Sequence, residues 1–257
     1  MEESVAKGYV RFGDVIILYT QSQIHQVGRG YLTCDGIIDD GVRVHVAPKQ
    51  FPKAIHQCLF QVVPMKQYAA QEEYDEKVAQ LLMEGKSKTD PDIKEYLEAL
   101  KESADKEKMM NEDSNHRRMV EGEIVRYGST IQLKHLTTFK YLHVDTGMLA
   151  PQEKDATLCE LTDRESNRCW LTILPRYSVR SVGDDVQALD EIKLASTLKP
   201  DQFLHMADQP AAHLKPYFPP DGVLHEGNCA HEASGWTIHL FRLGTTFVKK
   251  AQKEMLG

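Results

Sequence analysis

The stretch from Gly122 to Pro151, GEIVRYGSTIQLKHLTTFKYLHVDTGMLAP, limits most severely what this chain can fold into. It holds two short strand-like runs around a turn. Ile124, Ile131, Leu133, Tyr141, Leu142 and Val144 supply the apolar or β-forming positions, and Gly128-Ser129 and Thr137-Thr138 break the runs as turn residues do. A weaker copy precedes this stretch and another follows it. The copies close on CLFQVVP, CWLTILP and GWTIHLF, which end at Pro64, Pro175 and Phe241, with spacings of 111 and 66 residues. Taking a helical insert of about 50 residues out of the first spacing leaves about 61, so the period is nearly constant. Midway through each copy stands an aromatic–Leu pair: Tyr31-Leu32, Tyr141-Leu142 and Phe203-Leu204. Three such units predict a β-trefoil, a closed six-stranded barrel capped by three hairpins. Closure removes exposed sheet edges, and no unit can bury its apolar face alone.

In the first unit RFGDVIILYT is rich in β-formers, GRGYLT follows, and turns are signalled at Asp35-Gly36 and Asp39-Asp40-Gly41. VRVHV then alternates with period two and places Val42, Val44 and Val46 on one face. From Tyr68 to about Met119 the character changes. Tyr74, Val78, Leu81 and Leu82 fall on one helical face, Gly85-Lys86-Ser87-Lys88 stops that helix, and Asp90-Pro91 starts another. Ile93, Leu97, Leu100 and Ala104 continue a narrow apolar stripe, which predicts a helical hairpin standing out from the body. The third unit takes in Val186–Ser196, Phe203-Leu204-His205 and Gly235–Phe241. The expected class is therefore all-β with a helical insert. Its divisions are a trefoil over 1–67 and 120–245, an arm over 68–119 and a C-terminal linker over 246–257.

The net charge of −7 argues against nucleic acid and membrane surfaces as general partners. No apolar run approaches the roughly 18 residues of a membrane span, so no direct insertion is expected. MEESVAKGYV lacks a leader's basic start and apolar centre. The cysteines, Cys34, Cys58, Cys159, Cys169 and Cys229, are odd in number, scattered and without a CxxC pair. That pattern suits reduced cytosolic thiols used as small hydrophobes.

Chemistry-bearing motifs are sparse. Gly28-Arg29-Gly30 is half a nucleotide fingerprint with Thr33 where a glycine belongs, so a tight turn is the expected reading. His225-Glu226-Gly227-Asn228-Cys229-Ala230-His231 holds ligand types at a spacing that matches no common zinc site, and reads as a polar surface loop. His143 and Asp145 share a strand face but lack a nucleophile pattern. No GxSxG, P-loop, HExxH or EF-hand loop occurs. The expectation is a non-enzyme with no catalytic, cofactor or metal residues and no cofactor. Arg176-Tyr177-Ser178-Val179-Arg180 follows a strand-ending proline and is expected to be a loop. An aromatic between two arginines has the composition of a contact site. Two readings stay open: a contact loop, or a tyrosine packed on the barrel between solvated arginines. The arm poses the same choice between solvated ornament and docking arm.

At this point the residues resemble the N-terminal suppressor region of inositol 1,4,5-trisphosphate receptors, and more distantly ryanodine receptors. The first unit matches at Gly13-Asp14, Leu18-Tyr19, Gly36-Ile37-Ile38-Asp39-Asp40, Cys58-Leu59-Phe60, Pro64-Met65 and Tyr68-Ala69-Ala70-Gln71. The second matches at Tyr127-Gly128, Ile131-Gln132-Leu133, His135-Leu136 and Lys140-Tyr141-Leu142, followed by Trp170, Pro175, Tyr177, Arg180-Ser181, Gly183-Asp184 and Trp236. The resemblance implies an MIR-like β-trefoil carrying a helix-turn-helix arm. It implies a regulatory domain on the cytosolic face of the endoplasmic reticulum membrane, within a homotetrameric calcium-release channel. Its partners would be the adjacent ligand-binding core, neighbouring subunits, and regulatory proteins on the arm. It would lower ligand affinity and couple ligand binding to gating. Tyr177 matches a family tyrosine on a loop facing the next subunit, which makes Arg176, Tyr177 and Arg180 the candidate interaction loop. Arg176 stands where the family usually has an aromatic, and Ser178 where it has Lys. The family's ligand-binding residues lie in later domains and are not carried over. The rival reading is a stand-alone trefoil module binding a sugar or phosphate, which would need convergent polar groups in a concave site.

Overall fold

A computed structural model of the chain describes residues 8–21, 29–47, 51–86, 91–211 and 222–241. The fold is mostly β. The first unit contributes β1 (Val15–Gln21), β2 (Arg29–Cys34), β3 (Val42–Ala47) and β4 (Phe60–Pro64). Two helices follow, α1 (Ala69–Met83) and α2 (Pro91–Val120). The second unit is β5 (Thr130–His135), β6 (Tyr141–Leu149), β7 (Thr157–Thr162) and β8 (Leu171–Pro175). The third is β9 (Glu191–Ser196), β10 (Phe203–Pro210), β11 (Val223–Ala230) and β12 (Trp236–Leu240).

Strand pairing closes on itself. In each unit the first strand pairs with the fourth, and the fourth pairs with the first strand of the next unit. All these pairs are antiparallel. β4 and β5 pair from Phe60–His135 to Pro64–Ile131 as though the intervening helices were absent. Period-two alternation aims one side of each strand inward. Ile16 and Leu18, Ile131 and Leu133, and Ile192 and Leu194 come from the first strands. Phe60 and Val62, Leu171 and Ile173, and Trp236 and Ile238 come from the fourth. Each such aliphatic side chain contributes about 1.5–3 kcal/mol by burial. The middle strands form hairpins, with Leu32, Leu142 and Leu204 buried at equivalent places. β11 binds both β3 and β7, so the hairpins are also joined to one another.

The segments entering the three units meet in a cyclic set of backbone hydrogen bonds. Val10 N–H donates to Val186 O, Val186 N–H to Val125 O, and Val125 N–H to Val10 O, each at 2.9 Å. All three valines are buried. Three residues on, Gly13, Gly128 and Leu189 each donate to the closing strand, at Val62, Ile173 and Ile238. All three have positive φ, of 92°, 87° and 68°. Glycine adopts this conformation freely, whereas leucine does so at a cost.

Several expectations are corrected. The 225–231 stretch is no surface loop: His225 to Ala230 belong to β11, and His225, Glu226, Asn228 and Cys229 are buried. Part of their polarity is met internally, as Asn228 Nδ2 donates to both Glu153 (2.9 Å) and Glu226 (3.1 Å). Arg29 and Gly30 open β2 instead of turning, and Gly28 lies outside the described residues. A Cβ at Gly30 would come within 2.8 Å of Val44 Cγ1, which is why the strand keeps a glycine there. Val125, not Ile124, faces the core. Trp236 is fully buried in the ring, and its counterparts are Phe60 and Leu171. Trp170 is half-buried just before β8 and serves the arm.

The two helices form the predicted hairpin. Leu81, Leu97 and Ala104 are buried along its seam, whereas Leu82 is exposed. Pro91 opens α2 as expected, and Asp90 is outside the described residues. Its 30 residues span about 45 Å at ~1.5 Å each. The foot of the hairpin is fastened to the barrel. Tyr68 stacks on Trp170 with centroids 6.0 Å apart, and Trp170 Nε1 donates to Lys66 O at 3.0 Å. Burial, with the Glu165 carboxylate second, raises the Tyr68 phenol far above its usual range. Tyr68 therefore stays protonated and donates to Glu165 at 3.2 Å. Asn115 Nδ2 donates to Pro64 O, and Met119 packs against the main core. Glu107 on α2 accepts from Ala70 and Gln71 N–H, so one helix caps the other.

Leu189 provides a test of the threefold register. Replacing it with glycine, the residue found at positions 13 and 128, should remove about 1–2 kcal/mol of left-handed strain. Against this stands about 0.5–1 kcal/mol of chain entropy. Leu189→Gly should therefore raise stability by roughly 0.5–1 kcal/mol in urea unfolding. A loss of stability would mean that the three positions are not equivalent.

Candidate interaction surface

The segment 176–185 joins β8 to the Val186 strand entry and is a loop, as its place after Pro175 predicts. Both arginines are spent on the barrel. Arg176 Nη1 donates to Ala233 O at 2.7 Å, and its Nε lies 3.8 Å from Glu191. Arg180 Nη2 donates to Gln187 Oε1 at 3.0 Å and to Asp190 Oδ1 at 3.3 Å. Asp190 in turn accepts from Gln187 N–H and from the hydroxyl of buried Tyr127, both at 3.0 Å. Burial foremost, then Asp190, raises the Tyr127 phenol well above the usual value, so it remains a donor.

Tyr177 is held by its tip alone. Its hydroxyl donates to Glu191 Oε2 at 3.0 Å while the side chain stays 58% exposed. The reading of a packed tyrosine between solvated arginines is thus inverted. The tyrosine faces outward and the arginines brace the loop. Val179 and Val182 stand beside it at 82% and 70% exposure. Sequence reasoning missed both, although two valines in a turn-rich stretch are an available signal. Val182 lies over Gly128, where a Cβ would come within 2.6 Å of Val182 Cγ1. Ser181 N–H and Asp184 Oδ2 close the turn at 2.8 Å. A loop ordered in this way has already met much of the entropy cost of contact.

A second exposed apolar pair, Ile37 and Ile38, sits in the β2–β3 turn, where Asp35 Oδ1 accepts from both amides. The residues with enzymatic potential are placed unpromisingly. All five cysteines are buried and free, and burial pushes the Cys58 and Cys169 thiols up to about 12 and about 11. Such thiols are poor nucleophiles. His143 is buried on β6, and its burial disfavours the charged ring. Among the described residues no His, Cys, Asp and Glu cluster is arranged for a metal, and no helix is long and apolar enough to cross a membrane.

These features define a repeat-built β-barrel domain with a helical arm and a braced, exposed loop. The chain belongs to the inositol 1,4,5-trisphosphate/ryanodine receptor family, which residues 6–247 match. It is 32% identical over 243 residues to the inositol 1,4,5-trisphosphate receptor itr-1 of Caenorhabditis elegans. That alignment covers 92% of this chain and 8% of the nematode protein.

The geometry separates two tyrosines. Tyr177→Ala should change unfolding free energy by no more than about 0.5 kcal/mol, as at other surface sites. Asp190→Ala strands the buried Tyr127 hydroxyl and should cost about 2 kcal/mol. Equal costs in denaturant titrations would show that Tyr177 belongs to the core.

Proposed function

We propose that the chain is the regulatory, suppressor-type N-terminal domain of an intracellular ligand-gated calcium-release channel. It modulates the ligand affinity of an adjacent binding core and couples ligand binding to gating. The observation that carries this reading is the outward ring of Tyr177 on a loop whose arginines are bound to the barrel. Family membership supports it, since the nematode relative is an inositol 1,4,5-trisphosphate receptor. Coupling between sites requires contacts that differ between two states of an assembly. A closed barrel carrying a protruding, pre-ordered loop suits that requirement.

In this reading the body, 1–67 and 120–245, is a β-trefoil. The closed ring of first and fourth strands with three hairpins supports that assignment. Residues 68–119 are an arm open to regulatory proteins, and 246–257, which lie outside the described residues, are assigned as a link to the binding core. Neighbouring subunits of a homotetramer meet the Arg176–Arg180 loop. The domain works at the cytosolic face of the endoplasmic reticulum and performs no catalysis.

A chimera tests the proposal. The matching region of the nematode receptor is replaced by this chain, and ligand affinity and calcium release from vesicles are measured. Affinity should fall relative to a receptor lacking the region, and Tyr177→Ala should reduce release while leaving affinity nearly unchanged. Identical affinity with and without the chain, or normal release in the variant, would overturn the assignment.

A further inference from the structure

Two serines of the chain have arginine both two residues before and two residues after them. They are Ser166, in Arg164-Glu165-Ser166-Asn167-Arg168, and Ser178, in Arg176-Tyr177-Ser178-Val179-Arg180. The spacing is the same, but the fold treats the two hydroxyls differently. Ser166 is half-buried before a single helical turn, Asn167–Cys169, and its Oγ accepts from Arg168 N–H at 3.3 Å. Both of its arginines end on carboxylates, Arg164 on Asp75 at 2.6 Å and Arg168 on Asp145 at 3.1 Å. Glu165 adds a negative charge at the adjoining position. This serine is used in the structure.

Ser178 stands at the tip of the 176–185 loop. Arg180 N–H donates to Tyr177 O, which makes Ser178 and Val179 the two central residues of a turn. At 3.3 Å that bond lies past the usual N–H···O range, so little resists drawing the tip into an extended shape. Ser178 is exposed between exposed Tyr177 and exposed Val179, and among the described residues no hydrogen bond holds its hydroxyl. The flanking arginine side chains remain 30% and 31% exposed. The shortest bond of each goes to an uncharged oxygen, Ala233 O at 2.7 Å for Arg176 and Gln187 Oε1 at 3.0 Å for Arg180.

We propose that Ser178 is a phosphorylation site for an arginine-directed serine kinase, and that Arg176 and Arg180 hold the phosphoryl group once it is attached. Charge pattern around the acceptor is one basis of kinase selectivity. Here a positive charge stands on each side of a free hydroxyl. Ser178 Oγ bonds to the γ-phosphorus of ATP, the bond from that phosphorus to its bridging oxygen breaks, and ADP leaves with the electron pair. The hydroxyl proton passes to the carboxylate base of the kinase. The product carries about −1.5 to −2 charges at neutral pH. Hydrogen bonds from a guanidinium to phosphate are stronger than those to a neutral oxygen. Arg176 therefore gives up Ala233 O and Arg180 gives up Gln187 Oε1, while Glu191 and Asp190 lie on the barrel side of the loop. The modification changes the charge beside Tyr177 without touching the core. It is independent of the channel assignment.

The folded full chain is incubated with ATP and an arginine-directed serine kinase, beside a synthetic peptide of residues 172–184. Tandem mass spectrometry should find one phosphoryl group, on Ser178, in both. Ser178→Ala should abolish incorporation. The double variant Arg176→Gln, Arg180→Gln should slow it about tenfold in the peptide, the equivalent of one hydrogen bond to a charged group. In the phosphorylated chain the Nε–H signals of Arg176 and Arg180 should shift in nitrogen–proton correlation spectra, and in Ser178→Ala treated alike they should stay in place. No incorporation into the folded chain, or phosphate on Ser166 or Ser181 instead, would overturn the site. An unmodified peptide, or equal rates in the arginine variant, would overturn the reading of the flanking charges. Unmoved arginine signals would overturn the hold on the phosphoryl group.

Discussion

Three backbone hydrogen bonds, passed in a circle between Val10, Val125 and Val186, tie the three repeats together where they enter the barrel. None of these valines can find its partner within its own unit. The same dependence recurs one layer out, where each closing strand pairs with the next unit's opening strand. A unit standing alone would leave its inward face wet and two strand edges open. Closure thus explains why a repeat so degenerate in sequence persists in geometry. The contacts between units require only β-formers at alternate positions and a residue that tolerates positive φ at 13, 128 and 189.

The same closure explains how a long insertion is carried. β4 and β5 are held side by side by their own ladder, so the chain can leave at Pro64 and return at Thr130 without disturbing the ring. The arm then depends on a small set of foot contacts: the Tyr68–Trp170 stack, Asn115 on Pro64 O, and Met119 against the core. On the far side of β8 the barrel performs a similar service for the Tyr177 loop. Glu191 and Asp190, at the start of β9, receive both arginines and the tyrosine hydroxyl. The exposed loop is thus fastened to the edge of the core.

Much of this was legible from residues. The aromatic–Leu pairs marked the first strand of each hairpin, because Leu32, Leu142 and Leu204 fill the same buried place. The helical hairpin followed from the loss of β-branched residues after Tyr68. The loop position of Tyr177 followed from Pro175. What failed did so for physical reasons. β11 looked like a loop because its buried polar side chains pair with Glu153 and with Ala207 O of β10, partners remote in sequence. The closing runs CWLTILP and GWTIHLF each carry a tryptophan as second residue, yet a one-residue offset puts Trp170 outside the ring and leaves Leu171 inside. The bracing arginines could not be foreseen, since Ala233, Gln187 and Asp190 become their neighbours only on folding.

The central claim is that three repeats form one cooperative ring, on which arm and loop are mounted. Val62, Ile173 and Ile238 offer a direct probe, one per unit. Their amides donate to Asp14 O, Ser129 O and Asp190 O at 2.9, 3.1 and 3.2 Å. Native-state hydrogen exchange across a series of low urea concentrations reports the opening free energy of each. The account predicts a single shared value, with the same urea dependence, equal to that of global unfolding. Three separate values, with one unit opening while the others stay protected, would contradict it.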